Sequence, residues 1–364
     1  LTGTSDCDDG NATINAPITY YEDNDGDGFG STTSMDFCQT TAPAGYSTNN
    51  TDCDDSDADE FPGQTWYIDA DGRRIFDGLS GLWTCGLGHG RQEIVDAVAR
   101  QMATLDYAPA FQFGHPGAFK LAERLRGLTP TGLDYVFFTN SGSESADTSL
   151  KMARADWRLK GQSEKTRLIG RTKGYHGVNF GGISVGGIGA NRKLFGQAVE
   201  ADHLPHTLLK ENAFSRGMPA HGASLADELE ELVALHDASN IAAVIVEPVV
   251  GSAGVIPPPA GYLQRLADIC RANDILLIFD EVITGLGRCG GMTAAEVFDV
   301  QPDIMTLAKA LAGGPPIGAM LTTEDLASHL GPGTHGSTFG GNPLVCSAAL
   351  AAMRAIADDG VLDN

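Results

Sequence analysis

Unbroken apolar runs alternate along this chain with stretches of helical periodicity. The runs are DYVFFT (134–139), TRLIGR (166–171), AAVIVEP (242–248), ILLIFD (275–280) and GAMLTT (318–323). A run without apolar–polar alternation suits a strand covered on both faces, as in a parallel sheet flanked by helices. Elsewhere apolar residues recur every three to four positions: Ile94, Ala97, Val98 and Met102 in QEIVDAVARQMA, and Leu263, Leu266, Ala267 and Cys270 in GYLQRLADICRAND. That spacing lines one face of a helix. Strand–helix alternation predicts an α/β fold with a mostly parallel central sheet and flanking helices. Ligands of such folds sit beyond the carboxyl ends of the strands. The polar residues that end these runs are therefore the candidates for chemistry.

The first run ends in TNSGSESAD, where small residues and a glycine lead into a helical stretch. Backbone N–H groups and hydroxyls at such a turn can wrap a phosphate. An ordinary capping turn, with Ser141 or Ser143 as N-cap, reads equally well. The second run leads to GYHG (174–177), where Tyr175 can offer its ring face to a flat ligand or pack at a rim. Two further runs end in acids, Glu247 and Asp280. Burying a carboxylate is costly without a partner. A protonated ring nitrogen of a cofactor would serve, and so would an arginine or the start of the next helix. Lys309 is the only lysine after Lys210 and lies in TLAKALAGGPP. Apolar surroundings lower a lysine's pKa, as a Schiff-base nucleophile requires, although a surface lysine snorkelling from such a stretch gives the same pattern. A phosphate cradle, an aromatic face, a buried acid and a desolvated lysine, in that order on one α/β frame, together point to pyridoxal phosphate.

Charge divides the 364 residues unevenly. Residues 1–62 hold 12 Asp and 2 Glu with no Lys or Arg, so −14 of the net −23 sits there. This step predicts an acidic module over 1–62, a body over 63–358 and a truncated end over 359–364. The negative balance argues against a nucleic-acid surface, and no apolar run reaches the roughly 18–20 residues of a membrane span. The chain opens LTGTSD, without methionine or an apolar leader, and reads as a fragment or a processed chain. Within the module, Asp23, Asp25 and Asp27 followed by Gly28 have the spacing of the first half of a calcium loop. The twelfth position is Ser34, not glutamate, so the loop is no EF-hand. The segment resembles the Asp-rich calcium repeats of bacterial surface proteins, of thrombospondin type 3-like flavour; a solvated acidic linker is the plainer reading. Of seven cysteines, Cys7, Cys38 and Cys53 lie in this module, while Cys85, Cys270, Cys289 and Cys346 are scattered and read as buried free thiols.

Three rival motifs are weaker. G-I-S-V-G (182–186) has the letters of a nucleophile elbow but runs into G-G-I-G, a poor helix start. His203 and His206 flank Pro205 with no third metal ligand close by, and G-I-G-A-N-R (187–192) lacks the last glycine of a dinucleotide fingerprint.

Residues 64–358 resemble the class III, fold type I pyridoxal-phosphate aminotransferases. The resemblance rests on LSGLWTCGLGHG, VFFTNSGSESADTSLKMAR, GYHGVNFGG, HDASNIAAVIVEPVVGSAGV, ILLIFDEVITGLGR, AKALAGG and THGSTFGGNP. It implies that Lys309 forms the Schiff base and shuttles the proton, and that Asp280 pairs with the pyridinium nitrogen. Val282 and Tyr175 would pack on the two ring faces, with His176 and Glu247 beside the cofactor. Ser141, Gly142 and Ser143 would hold the phosphate. Thr338 would reach the phosphate of a neighbouring subunit, which implies a homodimer with shared sites, and Trp83 would line the substrate pocket. From Gln64 to about Gly285 the chain is most similar to omega-amino acid–pyruvate (β-alanine–pyruvate) aminotransferases. From about Asp303 it is more like acetylornithine aminotransferases, which use 2-oxoglutarate. Leu286 and Cys289 depart from the Phe and Thr of the family's GFGRTG. In the similar families an arginine for the substrate carboxylate lies beyond the point where this chain stops, so weak turnover is expected. The resemblance implies a cytoplasmic body, whereas the acidic module suggests a surface context. A calcium-binding surface protein with a non-catalytic body, and a different pyridoxal-phosphate reaction, remain the alternatives.

Overall fold

The computed structural model describes residues 17–24, 26, 28–50, 66–68, 74–111, 113–329, 331–358 and 361–363. The chain divides into two compact units, Leu1–Gly78 with Gly88–Gly90, and Leu79–Leu87 with Arg91–Asn364.

In the first unit, strands Ile18–Glu22, Ser34–Phe37 and Tyr46–Ser47 pair antiparallel, with Ile18–Glu22 in the middle. Tyr20 is buried there and its hydroxyl donates to the Gln39 carbonyl at 2.9 Å. Trp66–Ile68 and Arg74–Phe76 form a separate two-stranded sheet. Cys38 is disulfide-bonded. Of the expected calcium ligands, Asp25 and Asp27 lie outside the described residues. Asp23 spends its carboxylate on its own loop, accepting the Gly26 and Gly28 amides at 2.8 and 3.2 Å. Both glycines hold a positive φ that suits a residue without Cβ. No group of three acids, histidines or cysteines that could hold a metal occurs among the described residues.

The second unit is built on seven strands: β1 (Tyr135–Thr139), β2 (Arg167–Arg171), β3 (Ala201–Leu204), β4 (Ile241–Val246), β5 (Leu276–Asp280), β6 (Ile304–Leu307) and β7 (Gly318–Thr322). Their order is β1-β7-β6-β5-β4-β2-β3. From β3 to β6 every pairing is parallel, and β7 runs antiparallel to both β6 and β1. The five apolar runs are all strands, in a mostly parallel sheet as expected. The other two strands were not anticipated. Each has only four residues; β3 lies at the sheet edge, and β6 is wholly buried between β5 and β7.

Residues along the strands alternate between two apolar clusters, one on each face. Leu277 and Phe279 join one, Ile278 the other. Helix α3 (Gly142–Leu159) packs Leu150, Met152 and Trp157 into the Ile278 cluster; α4 (Tyr262–Ala272) and α5 (Pro343–Asp358) cover the opposite face. Leu263, Leu266, Ala267 and Cys270 are all buried, as their spacing predicts. Helix α1 (Gln92–Thr104) differs from expectation: it buries Ile94, half-buries Ala97 and Val98, and leaves Met102 exposed at 58%. α2 (Pro116–Leu128) buries Leu121 and Leu125. On β2, Gly170 admits close cover: a Cβ there would lie 1.8 Å from the Val185 carbonyl oxygen. Cys270 and Cys346 are buried free thiols, whereas Cys289 is a free thiol that is only half-buried, as Cys85 is half-buried. Among the described residues no helix is long and apolar enough to cross a membrane.

Candidate active site

The carboxyl ends of β1, β2, β4, β5 and β6 converge on a cavity of about 290 Å3. Its lining includes Ser141, Gly142, Ser143, Tyr175, His176, Glu247, Asp280, Val282 and Lys309. Nine residues singled out from the sequence are thus brought together. Trp83 and Thr338 are not part of the lining.

Asp280 ends β5 almost fully buried, at 4% exposure. Its Oδ2 lies 2.7 Å from His176 Nδ1; its Oδ1 accepts the Thr306 hydroxyl at 3.1 Å and the Val282 amide at 3.2 Å. Thr306 is placed by register, being the partner of Asp280 in the parallel β5–β6 pair. Glu281, the next residue, serves another purpose. It accepts the amides of Ala294 and Ala295 at 2.6 and 2.8 Å and the Thr284 hydroxyl at 3.2 Å. Burial pushes its carboxyl up to about 7 even against these donors.

Lys309 follows β6 with φ 41°, a left-handed conformation that costs a non-glycine residue about 1–3 kcal/mol and clusters at functional sites. Burial lowers the pKa of its ammonium, and the charges of Asp280 and Glu247 partly oppose that. Glu247 at the end of β4 is 3% exposed, and burial raises its carboxyl above the usual range. Its Oε1 accepts the Tyr175 amide and its Oε2 the Gly251 amide, each at 2.9 Å.

At the end of β1 the capping reading is realised. Ser141 is the N-cap of α3, its Oγ accepting the Glu144 amide at 3.2 Å. Glu144 reaches back to the Asn140 amide and side chain, both at 2.8 Å, in the manner of a capping box. The Ser143 hydroxyl accepts the Val178 amide at 3.1 Å. Both hydroxyls therefore act as acceptors and still carry a proton to donate. Gly142 is pressed against the wall: a Cβ there would sit 2.8 Å from Val282. An 18-residue helix pointing its N-terminus into a cavity offers favourable surroundings for an anion, so capping and phosphate binding are compatible.

Trp83 closes a left-handed turn in which Ser80, Gly81, Leu82 and Trp83 all have positive φ, strained by about 1–2 kcal/mol for each non-glycine residue. Its carbonyl accepts from Arg288 at 3.0 Å, and the following residue, Thr84, lines the cavity. Thr338 is exposed, and its carbonyl accepts the Tyr107 hydroxyl at 2.8 Å. The side chains of two rival motifs make local backbone contacts. Ser184 is buried in a short helix, donating to the Phe180 carbonyl at 2.6 Å. His203 lies 2.9 Å from the Gly186 carbonyl oxygen. Sequence reasoning missed Asn140, Thr306, Thr84 and Ile283. Thr306 had no signal, because it reaches Asp280 only through the register of two strands; Asn140 and Ile283 directly adjoin quoted site residues.

A profile of the family described as aminotransferase class-III matches residues 58–364. The β-alanine–pyruvate aminotransferase of Pseudomonas aeruginosa is 56% identical over 311 residues, 82% of this chain and 69% of that protein. The acetylornithine aminotransferase of Clostridium acetobutylicum is 37% identical over 299 residues, 82% of this chain and 71% of that protein. Among solved structures, an (S)-enantioselective omega-transaminase from Thermomicrobium roseum superposes with a TM-score of 0.76 at 36% identity, covering 83% of this chain and 68% of that one.

Proposed function

This chain belongs to the class-III aminotransferase family, and from that premise we propose that it moves an amino group from a terminal-amine donor to a 2-oxo acid such as pyruvate. An omega-amino acid or an amine is the donor class, as in the 56%-identical β-alanine–pyruvate relative. The cofactor of this family is pyridoxal phosphate, and the donor set of the cavity fits it. A helix N-terminus with two hydroxyls suits a phosphate dianion. A buried carboxylate suits a protonated ring nitrogen, an aromatic ring and a valine suit the two faces of a flat ring, and a desolvated amine suits a carbonyl. Bound there, pyridoxal phosphate supplies a carbonyl that takes up the amino group and a ring that draws off the electrons of the bond being broken.

The residues divide the remaining work. Lys309 would hold the cofactor and carry the proton at Nζ; its lowered pKa makes the neutral amine available closer to neutral pH. Asp280 would face the ring nitrogen, and His176, Thr306 and the Val282 amide hold its two oxygens in place. Ser141, Ser143 and the first amides of α3 would take the phosphate, with Val282 and Tyr175 on the two ring faces. Trp83 would border the substrate pocket through the turn that ends at Thr84.

We assign Thr338 to the phosphate site of a second copy, in a homodimer with shared sites. Supporting this, Thr338 is exposed outside its own chain's cavity and neighbours the exposed Phe339, at 62%, which packs edge-on against Tyr107. Calcium bound by the Asp23 loop remains a proposal for the front unit.

The observation that carries the reading is the meeting of Lys309, Asp280, Tyr175 and the start of α3 in one cavity. A donor–acceptor panel with added pyridoxal phosphate tests it. β-Alanine or a simple amine with pyruvate should yield alanine fastest. Faster turnover of acetylornithine with 2-oxoglutarate would move the assignment to that subfamily, and no turnover with any pair would contradict it.

A further inference from the structure

Two strand exits are tied together by one side chain. Arg171, the last residue of β2, is 1% exposed, and its Nη2 donates to the backbone carbonyl of Glu247 at 2.5 Å. Four residues on, the Tyr175 amide donates to the Glu247 carboxylate at 2.9 Å. The turn between them is tight. Gly174 N–H closes on the Arg171 carbonyl at 2.9 Å, and Lys173 holds φ 69°, a strained value for a lysine. Position 174 has no room for a side chain: a Cβ on Gly174 would lie 2.9 Å from the Arg171 carbonyl oxygen and 3.2 Å from His176 Nε2. Glu247 therefore grips both ends of the turn that presents Tyr175 to the cavity. Its second oxygen ties the same side chain to Gly251 beyond β4.

We infer that Glu247 is a positioning residue acting through Tyr175, rather than a group that meets substrate; the inference rests on the cofactor reading above. The chemistry explains why an acid stands here. Two backbone N–H donors arrive at two different oxygens, and only a carboxylate offers acceptors on both. Glutamine would turn an NH2 group toward one donor, releasing either Tyr175 or Gly251. With Tyr175 released, its ring no longer has a fixed place on the cavity wall, and a flat ligand loses a pre-formed stacking face.

A double-mutant cycle separates this role from general support of the fold. Pyridoxal phosphate is titrated into the cofactor-free forms of the wild type, Glu247→Gln, Tyr175→Ala and the double variant, following protein fluorescence. Visible circular dichroism of the bound cofactor reports ring placement, and a thermal melt reports folding. Glu247→Gln is expected to weaken binding about tenfold and to diminish the visible dichroism, yet to change binding less than about twofold once Tyr175 is alanine. Equal losses in both backgrounds would overturn the inference. If the glutamine variant does not fold, Glu247→Asp, whose shorter arm cannot span both amides, takes its place in the cycle with the same expectation. A wild-type chain that takes up no pyridoxal phosphate would overturn the cofactor reading itself, and this inference with it.

Discussion

Carboxylates are used differently in the two units. In the front unit Asp23 takes both of its donors from its own loop, the amides of Gly26 and Gly28. In the body Asp280 takes His176 from beyond β2, Thr306 from β6 and the Val282 amide from its own strand exit. An acid served by its own loop shapes that loop. An acid served by distant elements is held where the assembled fold requires a charge, whatever its own segment prefers. The adjacent pair in the body makes the same point on a smaller scale. Asp280 lines the cavity, while Glu281 gathers Thr284, Ala294 and Ala295 and lies outside the lining.

The largest expected effect falls on the acid held from a distance. Asp280→Asn should lower turnover by about 100–1000-fold, the range for losing one preorganised electrostatic partner. Its fold should persist, because asparagine still accepts from Thr306 or Val282. Steady-state kinetics beside a thermal melt check this, and near-normal turnover would erase the distinction between cavity acid and loop acid. Glu281→Ala should do the reverse. Stranding buried donors costs about 1–3 kcal/mol, so denaturant unfolding should shift while the visible cofactor band survives.

A smaller effect follows from Lys309. Its folded pKa is lowered below 10.5 by burial, so the unfolded chain binds more protons between the two values. Stability contributed by this group therefore rises with pH up to about 10.5. The denaturant midpoint of the cofactor-free protein should climb through that window more steeply than that of Lys309→Met. Identical slopes would mean that the lysine is not desolvated. The smallest effect is expected in the front unit. Calorimetric titration with millimolar calcium should give heat that Asp23→Ala reduces, with the cofactor band unmoved; heat unchanged in that variant would detach calcium from this loop.

Much of this was legible in the sequence where burial leaves an unbroken trace. Runs such as ILLIFD and AAVIVEP are covered on both faces, so their composition announces a strand, and the acid at the end of each, Asp280 and Glu247, announces the site. The four-residue β3 and β6 were too short to announce anything. Periodicity in α1 showed which residues are apolar but not what covers them, and Met102 is left exposed. Thr306 was invisible because its partner comes from strand register. The role of Glu247 was invisible because its partners are backbone amides, which leave no residue code. Trp83 and Thr338 came from family resemblance alone, and both stand outside the cavity of their own chain.

Every role proposed for the cavity depends on Lys309 being the residue that holds the cofactor. Borohydride reduction of the chain loaded with pyridoxal phosphate, followed by proteolysis and mass spectrometry, tests it most directly. A single reduced pyridoxyl adduct is expected, on the peptide that contains Lys309, and it should be lost in Lys309→Ala. A stoichiometric adduct on a different lysine, or one that persists in Lys309→Ala, would contradict it.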